Sequence, residues 1–242
     1  MKKLLVLTFM LTFATSMAFG QNTANVNQQG SDHLANIDQS ANTGQQMIGN
    51  TVDLDQQETI GSSEAWIDQT SGDNNVQLSQ TGSNYADIDQ NNGNVLRGYN
   101  DQTANQQQGF VATVNNGGEN NFQNELKAEQ NATHSLVGVD QLGFNNDADI
   151  TQGGGQGFTA KLNQEGALND ADLDQTGGNA TLDVEQYGTE NTVNASQGID
   201  FTSGSNTGLI DQHGQNNTAT LNQAGTGNRA VIDQNGGQSI AQ

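Results

Sequence analysis

The feature that most constrains this chain is a phrase of about eleven residues that recurs along most of its length. The phrase reads QLGFNNDADIT from Gln141, QEGALNDADLD from Gln164 and QHGQNNTATLN from Gln212. A unit this short cannot bury a hydrophobic core by itself, so successive copies must stack on one another. The sequence therefore predicts a repeat array.

Each copy ends on a glutamine, which gives the spacing of the array. The terminal glutamines are Gln28, Gln39, Gln56, Gln69, Gln80, Gln90, Gln102, Gln130, Gln141, Gln152, Gln164, Gln175, Gln186, Gln197, Gln212, Gln223 and Gln234. We place Asn116 at the equivalent position between Gln102 and Gln130, which makes eighteen copies. The wider spacings predict bulging loops near 40–55, 91–130 and 198–211.

Within a copy, polar and apolar residues alternate strictly. Asn169, Ala171, Leu173 and Gln175 lie two residues apart, with Asp170, Asp172 and Asp174 between them. Alternation of this kind predicts a strand with one buried face. A glycine follows most terminal glutamines, and we expect it to form the turn between strands. These turn glycines are Gly143, Gly166, Gly188, Gly214 and Gly225.

The predicted fold is an all-β solenoid. Two copies form a rung of about 22 residues and the chain about nine rungs, with two parallel sheets that face each other about 10 Å apart. An eleven-residue period also occurs in right-handed helical coiled coils. Glycine, asparagine and aspartate in every copy disfavour helix.

A buried asparagine or glutamine needs a hydrogen-bond partner, since an unpaired amide in an apolar interior costs about 2–7 kcal/mol. Stacked in register, each amide can donate to one neighbouring copy and accept from the other, as in cross-β assemblies. The predicted ladder residues are Asn84, Gln90, Asn146, Gln152, Asn169, Gln175, Asn191, Gln197, Asn217, Gln223, Asn228 and Gln234.

Composition supports two segments. Residues 1–20 combine Lys2 and Lys3 with an apolar run, which predicts a secretory signal peptide and leaves 21–242 as the repeat solenoid. The chain contains no proline, which suits continuous hydrogen-bonded strands, and no cysteine, which excludes disulfides and thiolate chemistry. A formal charge of -21 disfavours nucleic acid as a partner. Apart from the leader, no segment predicts membrane insertion.

The spaced motif Gln-x-Gly-x-x-Asn-x-Ala-x-x-x-Gln resembles the curlin repeat. Four stretches match it at every fixed position: Gln141 to Gln152, Gln164 to Gln175, Gln212 to Gln223, and Gln223 to Gln234. The resemblance implies a major curli subunit or a close homologue, which is a secreted bacterial amyloid of biofilm fibres. It also implies export through a dedicated outer-membrane pore and nucleation by a minor homologue. The inward amides then take the ladder role.

No catalytic, cofactor or metal site is predicted. The acidic residues repeat with the array, whereas an active site should interrupt the pattern. Asp-x-Asp pairs such as Asp172/Asp174 allow a calcium interpretation. We favour a solvated outer face whose repelling charges are screened by diffuse cations. His33, His134 and His213 show no metal-binding spacing.

The sequence therefore predicts a non-enzymatic structural subunit of an extracellular, cell-surface fibre that grows by end-to-end templated stacking of copies. Its partners would be further copies of itself, a nucleating homologue and the export machinery. The alternatives are a monomeric solenoid adhesin or surface-binding rod, and the nucleating subunit itself.

Overall fold

The structure is a computed structural model that describes residues 22–30, 33–40, 49–57, 63–70, 74–81, 84–91, 95–101, 108–116, 124–198 and 205–242. Within these ranges the secondary structure is entirely strand, with turns and bends and without helix. The predicted signal peptide, 1–20, and Gln102 lie outside the described residues.

The strands belong alternately to two parallel sheets. Sheet A has ten strands: β1 (Thr23–Gln29), β3 (Thr51–Gln57), β5 (Asn75–Thr81), β7 (Val95–Asp101), β9 (Glu125–Thr133), β11 (Asp147–Gln156), β13 (Asp170–Thr176), β15 (Thr192–Gly198), β17 (Thr218–Ala224) and β19 (Ile240–Ala241). Sheet B has nine: β2 (Leu34–Ser40), β4 (Glu64–Thr70), β6 (Asn84–Asn91), β8 (Gln108–Asn116), β10 (Leu136–Phe144), β12 (Thr159–Ala167), β14 (Ala180–Thr189), β16 (Asn206–Gln215) and β18 (Arg229–Gly237).

Each strand pairs with the strands two before and two after it in sequence, so the chain winds as a β-solenoid. One turn takes about 23 residues. The register keeps equivalent residues together: Thr159 pairs with Thr181 and, along the same strands, Gln164 with Gln186. The predicted all-β solenoid of strand-turn-strand rungs with two facing parallel sheets is confirmed.

The core lies between the sheets. Alternate side chains of each inner strand point inward, as in β13, where Ala171, Leu173 and Gln175 are fully buried. Residues from both sheets form one continuous hydrophobic cluster along the solenoid, from Val52 to Leu221. Small alanines beside branched aliphatic residues allow the two sheets to interdigitate.

The degenerate middle of the chain differs from the expected anchors. Asn100, rather than Gln102, occupies the glutamine position of β7, because it pairs with Gln80 and Gln130. Val114, rather than Asn116, occupies it in β8, between Gln90 and Gln141. The assignments of Gln102 and Asn116 were both wrong by two residues. A shift of two preserves the side-chain alternation, so the pattern alone could not separate these registers.

The expected loops are also shorter than predicted. Strands β7, β8 and the start of β9 lie within the stretch 91–130, β3 begins at Thr51, and β16 begins at Asn206. Strands are therefore present even in the stretches where the glutamines lie farther apart in sequence.

Candidate functional site: the inner amide rows

Glutamine side chains form two rows along the interior of the rod. In sheet A, Gln130 Nε2 donates to Gln152 Oε1 (3.1 Å), Gln152 to Gln175 (2.8 Å), Gln175 to Gln197 (3.1 Å) and Gln197 to Gln223 (2.6 Å). In sheet B, Gln141 donates to Gln164 (2.8 Å), Gln164 to Gln186 (2.9 Å), Gln186 to Gln212 (3.1 Å) and Gln212 to Gln234 (2.7 Å). Every donor points toward the C-terminal end, so the rows are polar.

The same side-chain nitrogens also cross between the sheets. Gln175 Nε2 donates to the Thr159 carbonyl oxygen (3.2 Å), and Gln186 Nε2 to that of Asp170 (3.0 Å). Both acceptors stand at the start of the preceding strand, in the opposite sheet. Gln175 and Gln186 therefore each use one amide hydrogen along the rod axis and one across the rung, as buried amides require.

Shorter rows of the same kind run through the N-terminal part. Gln28 donates to Gln56 and Gln56 to Gln80, both at 2.8 Å. On the other sheet Gln39 donates to Gln69 (2.8 Å) and Gln69 to Gln90 (2.9 Å).

Asparagines are held differently from the glutamines. The Asn169 backbone N–H donates to Asn146 Oδ1 (3.1 Å), while Asn169 Nδ2 donates to the carbonyl oxygens of Glu165 (3.4 Å) and Gly188 (3.3 Å). The amide thus fastens its own turn to the turn of the next rung. Asn169 Nδ2 also donates to Asn146 Oδ1 (3.2 Å), which is the amide-to-amide contact that the sequence analysis expected, whereas the backbone partners were missed.

The predicted asparagines divide between the sheets. Asn146, Asn169, Asn191 and Asn217 are consecutive in one row just before the strands of sheet A, and all four are buried. Asn84 and Asn228 belong to sheet B. In that sheet the row is broken, because Phe158 and Ala180 fill the equivalent position and pack together in a small separate cluster. Asn206, which precedes Asn228 in sheet B, was not singled out from the sequence; its Oδ1 accepts from the Asn228 backbone N–H (3.1 Å).

Four of the five predicted turn glycines lie inside strands. Gly143, Gly166, Gly188 and Gly214 form a column near the ends of β10, β12, β14 and β16, with φ between 116° and 121°. Gly225 follows β17 and has φ 87°. A Cβ on Gly166 would overlap the carbonyl oxygen of Gly188, so the column needs both the positive φ and the missing side chain.

Gly236 in β18 continues the glycine column, with φ 123°. A second left-handed position, two residues after each column glycine, was missed by the sequence analysis. Its occupants are Asn145, Leu168, Glu190, Asn216 and Gln238, with φ between 54° and 59°. Their side chains have little in common, so only the fixed distance from the glycine could have revealed the site. Asparagine tolerates this conformation better than leucine does.

The outer faces are dominated by carboxylates that stack from rung to rung. Burial, followed by the neighbouring Asp89 and Asp38, raises the pKa of Asp68 above its ordinary value. Burial and then Asp172 raise the pKa of both Asp170 and Asp174. Burial raises the pKa of Asp140, with Glu165 as the second cause, and that of Asp147, with Glu125 and Asp170 adding to it.

One close cation stands on the acidic face of sheet A. Lys127 Nζ lies 2.8 Å from Asp149 Oδ2, and this hydrogen bond raises the pKa of Lys127. Both side chains are about half exposed, so the pair contributes little to stability.

Over the described part of the chain, no group of three His, Asp or Glu side chains is arranged to hold a metal ion. The described residues also contain no helix that is long and apolar enough to span a membrane.

A family model, the curlin associated repeat, matches residues 159–188 and 205–236. The first segment covers β12, β13 and most of β14, and the second covers β16, β17 and most of β18. No curated protein and no solved structure matches the chain. The repeat family and the solenoid fold are structural in character rather than catalytic. The curlin repeat recognised in the sequence is confirmed in these two segments, so the chain carries curlin repeats at 159–188 and 205–236.

Proposed function

We propose that this chain is the structural subunit of an extracellular curli-like amyloid fibre of the biofilm matrix, in which copies stack end to end. The observation that carries the proposal is that the two ends of the rod match each other as consecutive rungs would. An added copy would continue both sheets and both glutamine rows.

The match is clearest in sheet B. The last strand, β18, and the first, β2, both read Ala-x-Ile-Asp-Gln, as Ala230 to Gln234 and Ala35 to Gln39. The two strands that follow β2 in the sheet, β4 and β6, carry the same pattern. If β2 of one copy follows β18 of another, four rungs of one strand type run across the junction.

Sheet A matches in the same way. Strand β17 begins Thr-Ala-Thr-Leu-Asn-Gln and β1 begins Thr-Ala-Asn-Val-Asn-Gln. The terminal strand β19 pairs with only Thr218 and Ala219 of β17. A seven-residue β1 from another copy can replace it with a longer ladder.

The end rungs also expose inward-pointing apolar side chains that the inner rungs bury. The inward side chains Val26 and Ile37 of β1 and β2 are only partly buried, whereas Leu54 of β3 is fully buried. Unpaired strand edges beside partly exposed apolar side chains are a template for another chain. Burial of these side chains would favour stacking by roughly 25 cal/mol for each Å² removed from water.

Secretion, a nucleating homologue and an outer-membrane export pore are part of this proposal, and the curlin repeat is what supports them. A fibre subunit should not self-associate before it reaches the exterior. Dependence on a separate nucleating homologue would delay self-association until then.

A monomeric rod that binds surfaces is the second candidate. Leu142 and Phe144, near the end of β10, and Leu168, after β12, are exposed apolar side chains on two successive turns. Exposed side chains of this kind would serve an adhesin.

Seeding separates the two candidates. Purified chain is incubated at micromolar concentration with and without sonicated fragments of its own earlier aggregates, and thioflavin fluorescence is followed. A lag that fragments abolish supports the fibre subunit. A strand-rich monomer that stays soluble with either treatment refutes it and favours the adhesin.

A further inference from the structure

The junction between copies brings two carboxylates together, and this follows from the strand match on which the proposed function rests. The glutamine rows set the register, because Gln234 ends the row of sheet B and Gln39 begins it. The residue before each is an outward-facing aspartate, Asp233 and Asp38. Stacked in this register, the two side chains are direct neighbours at one rung spacing, about 4.8 Å.

The contact would close a gap in a longer column. On the C-terminal side, Asp233 pairs in register with Asp211, which pairs with Glu185. On the N-terminal side, Asp38 pairs with Asp68, which pairs with Asp89. A junction therefore joins two columns of three carboxylates into one of six.

The neighbouring charges leave this contact repulsive. The charged groups around Asp233 are Arg229 at the start of β18 and the imidazole of His213, which lies 2.9 Å from Asp211 Oδ1. On the side of Asp38 the nearest charge is Asp68, because Glu64 pairs with Leu34, four residues away along β2. Arg229 would stack on Leu34 in the register of the junction, four residues away from the aspartate contact.

Sheet A has no such contact at the junction. The outward residues of β17 are Thr218, Thr220 and Asn222, and those of β1 are Thr23, Asn25 and Asn27. All six are uncharged. The electrostatic cost of adding a copy is therefore concentrated in sheet B, at one pair of residues.

We propose that Asp233 of one copy faces Asp38 of the next, and that this contact makes fibre elongation respond to pH. At neutral pH the repulsion slows addition of each copy, and acidification relieves it by protonating the column. Within one copy, Asp68 has a carboxylate on either side in register, and burial followed by Asp89 and Asp38 raises its pKa.

Seeded elongation of the full chain at roughly 0.15 M ionic strength, where the Debye length is about 8 Å, tests the contact through a charge swap. Asp38→Lys and Asp233→Lys each replace the repulsion by an attraction, so each single variant should elongate about fivefold faster than the parent at pH 7. The double variant restores a like-charge pair. We expect it to elongate more slowly than either single variant, although it carries the smallest net negative charge.

Asp172→Lys is the matched control, because it changes the net charge equally on β13, away from the junction. It should elongate at the parent rate within a factor of about two, since exposed charges separated by more than a Debye length are largely screened. The parent should accelerate about fivefold between pH 7 and pH 4, and the advantage of the single variants over the parent should shrink there.

A double variant as fast as the single variants, a control that accelerates as much as they do, or a parent rate that is independent of pH would each overturn the Asp233–Asp38 contact while leaving fibre formation intact. Failure of every variant to form fibres at either pH would instead refute the proposed function and this contact with it.

Discussion

At the scale of single residues, the interior of this rod depends on polar groups that work only in register. Gln175 accepts from Gln152 and donates to Gln197 and to the Thr159 carbonyl oxygen. The three glutamine side chains are fully buried. The amide rows thus specify the register of the strands, because a strand shifted by one residue would leave amides without hydrogen-bond partners.

Replacement of Gln175 by leucine tests this dependence. The apolar side chain leaves a donor on Gln152 and acceptors on Gln197 and Thr159 without partners in the interior. Each orphaned group costs about 1–3 kcal/mol, so the free energy of unfolding should fall by about 3 kcal/mol or more in urea titrations. Thr220→Ala, on the outer face, should lower it by less than about 1 kcal/mol. Equal losses for the two variants would contradict the role of the row.

Leu168 is the least suitable residue in the left-handed column. It has φ 57° and is 46% exposed. The backbone strain of this conformation is therefore not offset by burial of the side chain. Leu168→Asn, which copies Asn145 and Asn216, should raise the free energy of unfolding by about 1 kcal/mol. Gly166→Ala, in the neighbouring column, should lower it. A neutral or destabilising Leu168→Asn would show that the exposed leucine has a packing role.

At the scale of the strands, the solenoid contains one interruption in the glutamine row of sheet B. The register position between Gln90 and Gln141 holds Val114, a residue type without an amide. Gln141 Oε1 is correspondingly buried without a hydrogen-bond partner. The backbone ladder continues through this rung, from β6 to β8 and from β8 to β10.

Val114→Gln should repair this interruption. The new amide can donate to Gln141 Oε1 and accept from Gln90 Nε2, which should raise the free energy of unfolding by about 1 kcal/mol or more. Val114→Met, similar in length but without an amide, is the control for added volume. A larger gain for methionine than for glutamine would contradict the hydrogen-bonding explanation.

Strands were predicted correctly where polar and apolar residues alternate and glutamines recur at a regular spacing. Features that depend on residues distant in sequence but close in space were predicted poorly. The glutamine positions follow from alternation and spacing alone. The sheet-specific role of asparagine does not, because it depends on neighbours in space. Asn169, before a strand of sheet A, donates to the carbonyl oxygen of Gly188 in the glycine column, whereas Phe158 and Ala180 take the equivalent position at the start of sheet B strands. Likewise, nothing in the local sequence around Val114 distinguishes its register from one shifted by two residues.

At the scale of the whole molecule, stacked carboxylates set how stability depends on pH. The pKa values of Asp68, Asp140, Asp147, Asp170 and Asp174 are all raised from 3.8, with burial the largest cause. The folded rod therefore binds more protons than the unfolded chain between the ordinary and the raised values. The contribution of these aspartates to the free energy of unfolding is fully present below about pH 4. It is lost as the pH rises through their raised pKa values in the folded rod.

The melting temperature should accordingly be higher near pH 4 than at pH 7, contrary to the usual acid denaturation. Circular dichroism melts of the soluble chain at several pH values measure it. Asp170→Asn should flatten the dependence, because an amide in the same place no longer titrates. A melting temperature that falls steadily from pH 7 to pH 4 would contradict the electrostatic account.

The central claim, that rungs continue from one molecule to the next, is tested most directly by X-ray diffraction from aligned fibres of the purified chain. Continuous stacking predicts a sharp meridional reflection near 4.8 Å and an equatorial one near 10 Å. A chain that yields only soluble, strand-rich monomers, or fibres without the meridional reflection, would contradict it.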